Sequence, residues 1–304
     1  MRTAFIKSLC DLAARDPRVW LVNGDLGFSV LEPFREQFPD RYVNAGVAEQ
    51  NMTGIAAGLA QCGKIVFTYS IANFPTLRCL EQLRNDVCYH ELPVKVVAVG
   101  GGYAYGAQGY THHGIEDLAI LRALPGMTVV APADPAETAQ AVPAMAARPG
   151  PCYLRLGKAG EPAVHSGVPD FRIGRAITVR EGCDVTVIAI GGIAHYALGV
   201  VTRLAARGIR ARLLSMHTLK PLDAAAVRRA LDETGHIVTV EEQTVMGGLG
   251  SAVAEVLAEA GCPAGSFRRW AIPEGGWGRL GSQDYLRGLV GDLEQLIVDL
   301  LAAR

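Results

Sequence analysis

Glu49 is the side chain of this sequence best placed to do chemistry, because a short extended run leads through glycine into a helical stretch at this carboxylate. The apolar residues after it recur at helical spacing and predict a helix with one buried face. They are Met52, Ile55, Ala56 and Leu59. The carboxylate would then lie at the helix N-terminus, where the helix dipole favours the ionised form. A functional acid and an ordinary first-turn acid that only stabilises the helix both agree with this spacing.

His112 is the second candidate, since an imidazole with a pKa near 6.5 can move protons at neutral pH. It follows the glycine-rich residues 100–106, which come after a candidate strand. Such a stretch predicts a loop that needs positive φ and a close backbone approach beside a reacting centre. A loop histidine can also be a solvated or structural residue, and His113 receives no role.

A second glycine-rich run, residues 247–251, follows a candidate strand and opens a helix. Free N–H groups in that position can hold a phosphate. However, its spacing is not that of the dinucleotide fingerprint, and Glu241 and Glu242 precede it and would repel an anion. The glycine run can therefore be interpreted either as a nucleotide site or, in better agreement with these residues, as a place where a helix packs closely.

The surrounding pattern predicts an α/β fold with two αβα domains built on mainly parallel sheets. Short β-branched runs alternate with helical stretches, and 304 residues that are half apolar exceed the usual single domain. We assign residues 1–160 to the first domain, 161–172 to a linker and 173–304 to the second. Strands are expected at 19–23, 41–44, 65–69, 94–99, 128–131, 152–156, 184–190, 211–215, 237–241 and 268–272, with a terminal helix over 282–303.

Composition excludes several classes of function. A net charge of −1 and a pI of about 6.7 favour neither nucleic acid nor an anionic membrane surface. No apolar run approaches the roughly 20 residues that span a bilayer, and the N-terminus is too polar for a signal peptide. The 7 cysteines are scattered without a Cys-x-x-Cys pair, which predicts buried reduced thiols of a cytoplasmic protein and no metal site.

Four ordered motifs resemble the transketolase superfamily. They are residues 45–60, 68–87, 109–122 and 129–135. The resemblance implies a pyrimidine-binding domain followed by a transketolase C-terminal domain. It also implies thiamine diphosphate as the cofactor, whose thiazolium carbon must lose a proton to the cofactor's own amino group.

The resemblance assigns the cofactor and catalytic residues. Glu49 would contact the aminopyrimidine ring and drive its imino tautomer, and His112 would lie near the reactive carbon and move the protons of carbonyl addition. Asp25 belongs to the cofactor site. Transketolases have aromatic residues three apart after the tyrosine–serine run, whereas only Phe74 is aromatic here. The pyrimidine would lie against Leu77 with Phe74 beside it, or Phe74, Leu77 and Leu80 form only one apolar helix face.

The resemblance also implies a substrate-binding set. Arg2, Ser29 and Arg155 match residues that hold a sugar phosphate, and guanidinium suits a phosphate because it donates a fork of hydrogen bonds. The histidine of that set falls on Gly100, and Gln108 replaces an aspartate that reads a sugar hydroxyl. The substrate is therefore a sugar or sugar phosphate of an unusual kind.

The sequence has no Gly-Asp-Gly motif of the kind that holds the diphosphate and its Mg²⁺. The resemblance therefore implies the C-terminal subunit of a split transketolase, completed by a separate diphosphate-binding subunit in an α2β2 heterotetramer, with the Mg²⁺ ligands on the partner. The expected activity is transfer of a two-carbon ketol unit from a ketose to an aldose in carbohydrate metabolism. A subunit of a 2-oxoacid dehydrogenase, or an acyloin or 1-deoxyxylulose-phosphate type of synthase, remains the alternative. A scaffold without chemistry is disfavoured by the presence of Glu49 and His112.

Overall fold

The computed structural model describes residues 1–261 and 266–303 and contains two predominantly parallel β-sheets covered by helices. The strands are β1 Val19–Asn23, β2 Tyr42–Asn44, β3 Ile65–Ile71, β4 Val94–Val99, β5 Thr128–Val130, β6 Cys152–Leu156, β7 Ile177–Arg180, β8 Val185–Ala189, β9 Ala211–Ser215, β10 Thr218–Lys220, β11 Ile237–Thr244 and β12 Phe267–Ile272. The first sheet has 7 strands in the order β10-β5-β6-β4-β3-β1-β2, and the second has 5 in the order β12-β11-β8-β9-β7. Among these strands, β10 and β7 run antiparallel to their neighbours.

The helices pack on both faces of these sheets. The central strands are buried along most of their length, because parallel strands covered on both faces meet no water. The α-helices are α1 Arg2–Ala13, α2 Glu32–Gln37, α3 Glu49–Gln61, α4 Leu80–Gln82, α5 Asp117–Ala123, α6 Pro135–Ala146, α7 Ala194–Ala206, α8 Ala224–Thr234, α9 Leu249–Glu259, α10 Gln283–Gly288 and α11 Leu293–Ala302. One buried apolar cluster contains side chains from both sheets, among them Val96 and Ile188.

All ten expected strands are confirmed, with ends shifted by up to three residues. The strands β7 and β10 were not expected, and β10 joins the first sheet although it follows the expected linker in the chain. The prediction of a single terminal helix is wrong, since this segment forms two helices, α10 and α11. The division falls at Gly291, which has positive φ, and at Asp292, whose carboxylate accepts hydrogen bonds from the first turn of α11.

The linker region is held to the first domain by buried polar contacts. The carboxylate of Asp134 accepts hydrogen bonds from the backbone N–H groups of Val164 and His165, at 2.8 and 3.0 Å. The His165 ring lies 2.7 Å from the Glu137 carboxylate, and this hydrogen bond raises the pKa of His165. The segment that connects the two sheets is therefore fixed to the first domain by hydrogen bonds.

The glycine run at residues 247–251 serves packing and not anion binding. The carboxylate of Glu241 accepts hydrogen bonds from the N–H groups of Leu249 and Gly250, both at 2.7 Å, so it occupies the N-terminus of α9 itself. Burial raises the pKa of Glu241 to about 7. A Cβ at Gly248 would lie 2.2 Å from a Glu241 oxygen, which explains why glycine is needed there.

The expectation of buried thiols is only partly right. Cys10, Cys79, Cys88 and Cys152 are buried, whereas Cys62 and Cys183 are exposed, and Cys262 lies outside the described residues. Within the described part of the chain, none of the helices combines the length and the apolar character that crossing a bilayer requires.

Candidate active site

The candidate residues gather at one edge of the first sheet. The parallel strands β1, β2, β3, β4 and β6 end there, and the carboxyl edge of such a sheet is where ligands bind in this type of fold. Topology alone therefore brings together residues that lie far apart in the chain. Asp25 and Ser29 follow β1, Glu49 follows β2, Phe74 and Leu77 follow β3, and Gln108 and His112 follow β4.

Glu49 is a buried carboxylate at the start of a helix, as expected. It is the first residue of α3 and only 1% exposed, and a Cβ at Gly24 would lie 3.3 Å from its Cγ. Oε2 accepts a hydrogen bond of 2.6 Å from Arg78 Nη1, while Oε1 is buried without a hydrogen-bond partner in the described chain. A buried charged oxygen without a partner is costly, so this atom is positioned for a donor that the described residues do not supply.

Arg78 connects Glu49 to the other candidates. Its guanidinium lies 4.6 Å from the centre of the Phe74 ring, and the Phe74 ring lies 5.5 Å from the His112 ring in an edge-on arrangement. The side chain of Arg78 is 46% exposed, so it can leave Glu49 without a large change in the fold. The structure thus forms one continuous row from Glu49 through Arg78 and Phe74 to His112.

Three apolar side chains that lie close in the chain to the candidate residues are open to solvent. Phe28 is 73% exposed, Val47 is 75% exposed and Leu77 is 42% exposed. They belong to the segments that follow β1, β2 and β3, near Asp25, Glu49 and Phe74 in the sequence. Exposed apolar side chains near a polar site are typical of a surface that another molecule covers.

The segment after Phe74 differs from the expected helix. Residues 77–79 precede the helix, α4 begins only at Leu80, and Leu83–Cys88 continues as a π-helix. Leu77 is therefore free of helix packing and is exposed to solvent, whereas Leu83 and Val87 supply the buried face. The interpretation of Leu77 and Leu80 as one packed helix face does not hold for Leu77.

His112 lies on a loop that several contacts fix. Its Nδ1 is 3.0 Å from the hydroxyl of Thr111, and the amide of Asn73 donates to the carbonyl of His113 at 2.7 Å. His113 is fully buried, with its Nε2 3.1 Å from the carbonyl of Gly106. The two neighbouring histidines therefore face different surroundings, and of the two only His112 is accessible.

Asp25 is held by its neighbours. Its backbone has φ of 58°, which an Asp adopts only at some cost, and its Oδ1 accepts a 2.9 Å hydrogen bond from Asn44. Since Asn44 is the last residue of β2 and shortly precedes Glu49, this contact ties the loop after β1 to the segment that leads into α3.

The expected substrate-binding residues surround the same edge. Arg2 begins α1, and Ser29 is exposed with φ of 62°. Gln108 ends a short 3₁₀ turn and is exposed. Burial raises the pKa of Tyr105, and the charge of Arg2 opposes that rise.

Arg155 is already engaged inside the protein. Its Nε lies 3.1 Å from the Asp117 carboxylate, and Nη2 donates to the carbonyls of Gly114 and Glu242. The Asp117 carboxylate also accepts a hydrogen bond from the hydroxyl of Tyr153. Nη1 is the terminal nitrogen of Arg155 that has no hydrogen bond within residues 1–261 and 266–303. It is the one that can meet a ligand.

A cavity of about 380 Å³ lies between the two sheets beside Arg155. Lys158 and His195 line it, together with Glu161, Glu242 and Arg287. Glu242 pairs with Arg287 at 2.7 Å, so these two charges largely compensate each other. The cavity adjoins the substrate end of the site and not Glu49.

Arg78 and Tyr105 were missed by the sequence analysis. Arg78 follows Leu77 within one of the four motifs, residues 68–87. The signal that could have identified it is a cationic side chain in the motif next to the one that contains a functional acid. Tyr105 could not be found in this way, since its place depends on the conformation of Gly100.

Comparison with known proteins matches both halves of the chain. Residues 1–160 match the family described as "Transketolase, pyrimidine binding domain", and residues 174–284 match "Transketolase, C-terminal domain". The chain is 42% identical to one of the subunits of the apulose-4-phosphate transketolase of Phocaeicola vulgatus, over 86% of this chain and 85% of that one. It is 40% identical to the 6-deoxy-6-sulfo-D-fructose transketolase subunit SqwH of a Clostridium species, over 96% and 90%.

Two further comparisons define the range of the similarity. A solved structure described as "Split gene transketolase, inactive beta4 tetramer" superposes with a TM-score of 0.87 at 38% identity, covering 99% of this chain and 96% of that chain. The 1-deoxy-D-xylulose-5-phosphate synthase 1 of Geobacter sulfurreducens is 38% identical over 89% of this chain, but the match spans only 42% of that protein.

Proposed function

This chain belongs to the transketolase family, as a subunit of the split type, and we propose that it transfers a two-carbon ketol unit from a ketose to an aldose with thiamine diphosphate as cofactor. The buried Oε1 of Glu49 is the observation that carries the proposal. A carboxylate oxygen without a partner in the described chain, at a rigid helix start, fits a protonated ring nitrogen of the cofactor.

Glu49 and His112 are the proposed catalytic residues. When bound, thiamine diphosphate would supply the nucleophilic carbon that ketol transfer requires. Glu49 would hold a proton on the pyrimidine ring, and Arg78 orients the carboxylate through its 2.6 Å hydrogen bond to Oε2. His112 gives and takes the proton of the substrate oxygen. Phe74 and Leu77 contact the pyrimidine, and Asp25 completes this end of the cofactor site.

The chain is proposed to work with a separate diphosphate-binding subunit. The exposed Phe28, Val47 and Leu77 beside the site support this, because the partner would cover them and exclude water from the reaction. The relative described as an inactive β4 tetramer supports the same point. We assign the Mg²⁺ ligands to the partner and the assembly to an α2β2 heterotetramer. The scattered cysteines continue to favour a cytoplasmic location.

The proposed donor is a ketose with an anionic group at its far end. The names of two relatives include a sugar phosphate and a sulfonated sugar, and both groups are tetrahedral oxyanions. Arg2, Ser29 and Arg155 are proposed to bind this group, and Gln108 a hydroxyl. Phosphate and sulfonate present the same three outer oxygens to guanidinium donors.

Arg155→Ala should lower kcat/KM for a phosphorylated aldose by about 10 to 150-fold, since a hydrogen bond to a charged group contributes roughly 1.5 to 3 kcal/mol. The loss of its pair with Asp117 should also lower the melting temperature. Steady-state kinetics of wild type and variant, with phosphorylated and unphosphorylated acceptors, would measure the difference. Equal losses for both acceptors would leave Arg155 with a structural role only.

The synthase matches keep one alternative open, a thiamine enzyme that uses a 2-oxoacid donor. Release of carbon dioxide from a 2-oxoacid by the assembled enzyme, without ketol transfer from any ketose, would favour that alternative.

A further inference from the structure

Tyr105 fills the space in which a side chain at position 100 would lie. Gly100 has φ of 86°, and a Cβ built on it would come within 2.1 Å of Tyr105 Cε2. A histidine at position 100 therefore cannot coexist with this placement of the Tyr105 ring. The space that the histidine of the substrate-binding set would need is therefore occupied by the Tyr105 ring and is not empty.

Lys158 also lies beside the Tyr105 ring. Strands β4 and β6 are paired in parallel with Val99 opposite Leu156, so the residues that follow them leave the sheet side by side. The ammonium of Lys158 lies 5.1 Å from the centre of the Tyr105 ring, a cation–π distance. The Tyr105 ring thus occupies the side-chain space at position 100 and also orients the ammonium of Lys158.

The charge of Lys158 is uncompensated. Within the described residues its Nζ makes no ion pair and no hydrogen bond, and the side chain is exposed and lines the cavity. The three acidic residues that share this lining are paired with other cations. Glu161 pairs with the terminal amino group at 2.7 Å, and Glu242 and Asp284 pair with Arg287 at 2.7 and 3.4 Å. A cation that is oriented but not neutralised can bind an anion from solution.

Arg155 lines the same cavity as Lys158 and keeps Nη1 without a hydrogen bond to the described chain. Of these two cations, Lys158 has the greater freedom, since the guanidinium of Arg155 is fixed by Asp117. The charge of Arg2 also acts on Tyr105, where it opposes the rise that burial causes in the pKa of the hydroxyl.

We propose that Lys158 determines specificity by binding the terminal tetrahedral oxyanion of the ketose, in place of the histidine that Tyr105 excludes. This inference rests on the proposed ketol transfer. An ammonium is a compact point charge with three donors that rotate, so it does not demand one orientation of the oxyanion. Phosphate and sulfonate ends would both be accepted by such a group.

The test uses the assembled enzyme with Lys158→Gln, Lys158→Arg and Lys64→Gln as the matched control. Lys64 also lies over an aromatic ring, Trp20 at 5.9 Å, but it precedes β3 and so lies at the opposite edge of the sheet. The donors are a 6-phosphorylated ketohexose, a 6-sulfonated ketohexose and the neutral ketohexose. The measured quantity is the ratio of kcat/KM for each anionic donor to that for the neutral donor.

Lys158→Gln should lower this ratio about tenfold for both anionic donors, mostly through KM, because a charge-assisted contact is lost at a site partly screened by water. Lys158→Arg should keep most of the wild-type ratio, because it keeps the positive charge, and Lys64→Gln should leave the ratio unchanged. A fall for only one anionic donor would assign Lys158 to that oxyanion, phosphate or sulfonate.

An unchanged ratio in Lys158→Gln, with a wild type that prefers anionic donors, would overturn the role of Lys158 and leave ketol transfer intact. A wild-type enzyme that transfers no ketol unit from any of the three donors would overturn the proposed function, and this inference with it.

Discussion

Glu49→Gln should keep the fold and the assembly but lose about 10² to 10⁴-fold in turnover, the range that general acid–base groups contribute. Glutamine fills the same volume at the start of α3. Its amide cannot hold a proton on the pyrimidine ring as a carboxylate does, and it loses the ion pair with Arg78. The measurement is kcat of ketol transfer by the assembled enzyme at saturating cofactor.

The matched control is Glu81→Gln, which removes an exposed carboxylate from α4 in the next motif. It should leave turnover unchanged. Wild-type turnover in Glu49→Gln would show that Glu49 is an ordinary first-turn acid, the alternative that the spacing of the sequence left open.

His112→Ala should also reduce turnover by about 10² to 10⁴-fold, while the melting temperature stays near that of the wild type. The ring is partly exposed and its contacts are with Thr111 and the rings of Phe74 and Tyr105, so its removal leaves no buried cavity. Single-turnover kinetics of the assembled enzyme, with thermal unfolding of the variant, would separate the two quantities.

His113→Ala should behave in the opposite way. It removes a fully buried ring that packs against Tyr103 at 5.2 Å, so it should lower the melting temperature. If His113→Ala lost turnover without losing stability, and His112→Ala lost stability without losing turnover, the roles given to the two histidines would be reversed.

Periodicity and β-branched runs were sufficient to find most of the fold. The strand Val94–Val99 and the helix that begins at Glu49 were predicted where they occur, because each has a strong local pattern. The strand Thr218–Lys220 was missed, since three residues carry too little pattern and its pairing partner Val130 lies far away in the chain. The break at Gly291 was missed because leucines continue at helical spacing on both sides of it.

The candidate site could be predicted only as a set of separate residues. Motif resemblance brought Glu49, Phe74 and His112 together, and the structure connects them through Arg78. Motif resemblance could not indicate that Arg78 lies between Glu49 and Phe74, or that the Tyr105 ring packs over Gly100. Each of these contacts depends on side-chain direction at the ends of different strands, which no local pattern in a single sequence contains.

This chain is proposed to provide half of a thiamine diphosphate site, which a diphosphate-binding subunit completes. The most direct measurement is ketol transfer, with cofactor and Mg²⁺ present, by this chain alone, by the partner alone and by the two mixed. Neither chain alone should transfer a ketol unit, whereas the mixture should, since each half supplies only part of the cofactor contacts. Equal turnover by this chain alone and by the mixture would show that the chain needs no partner.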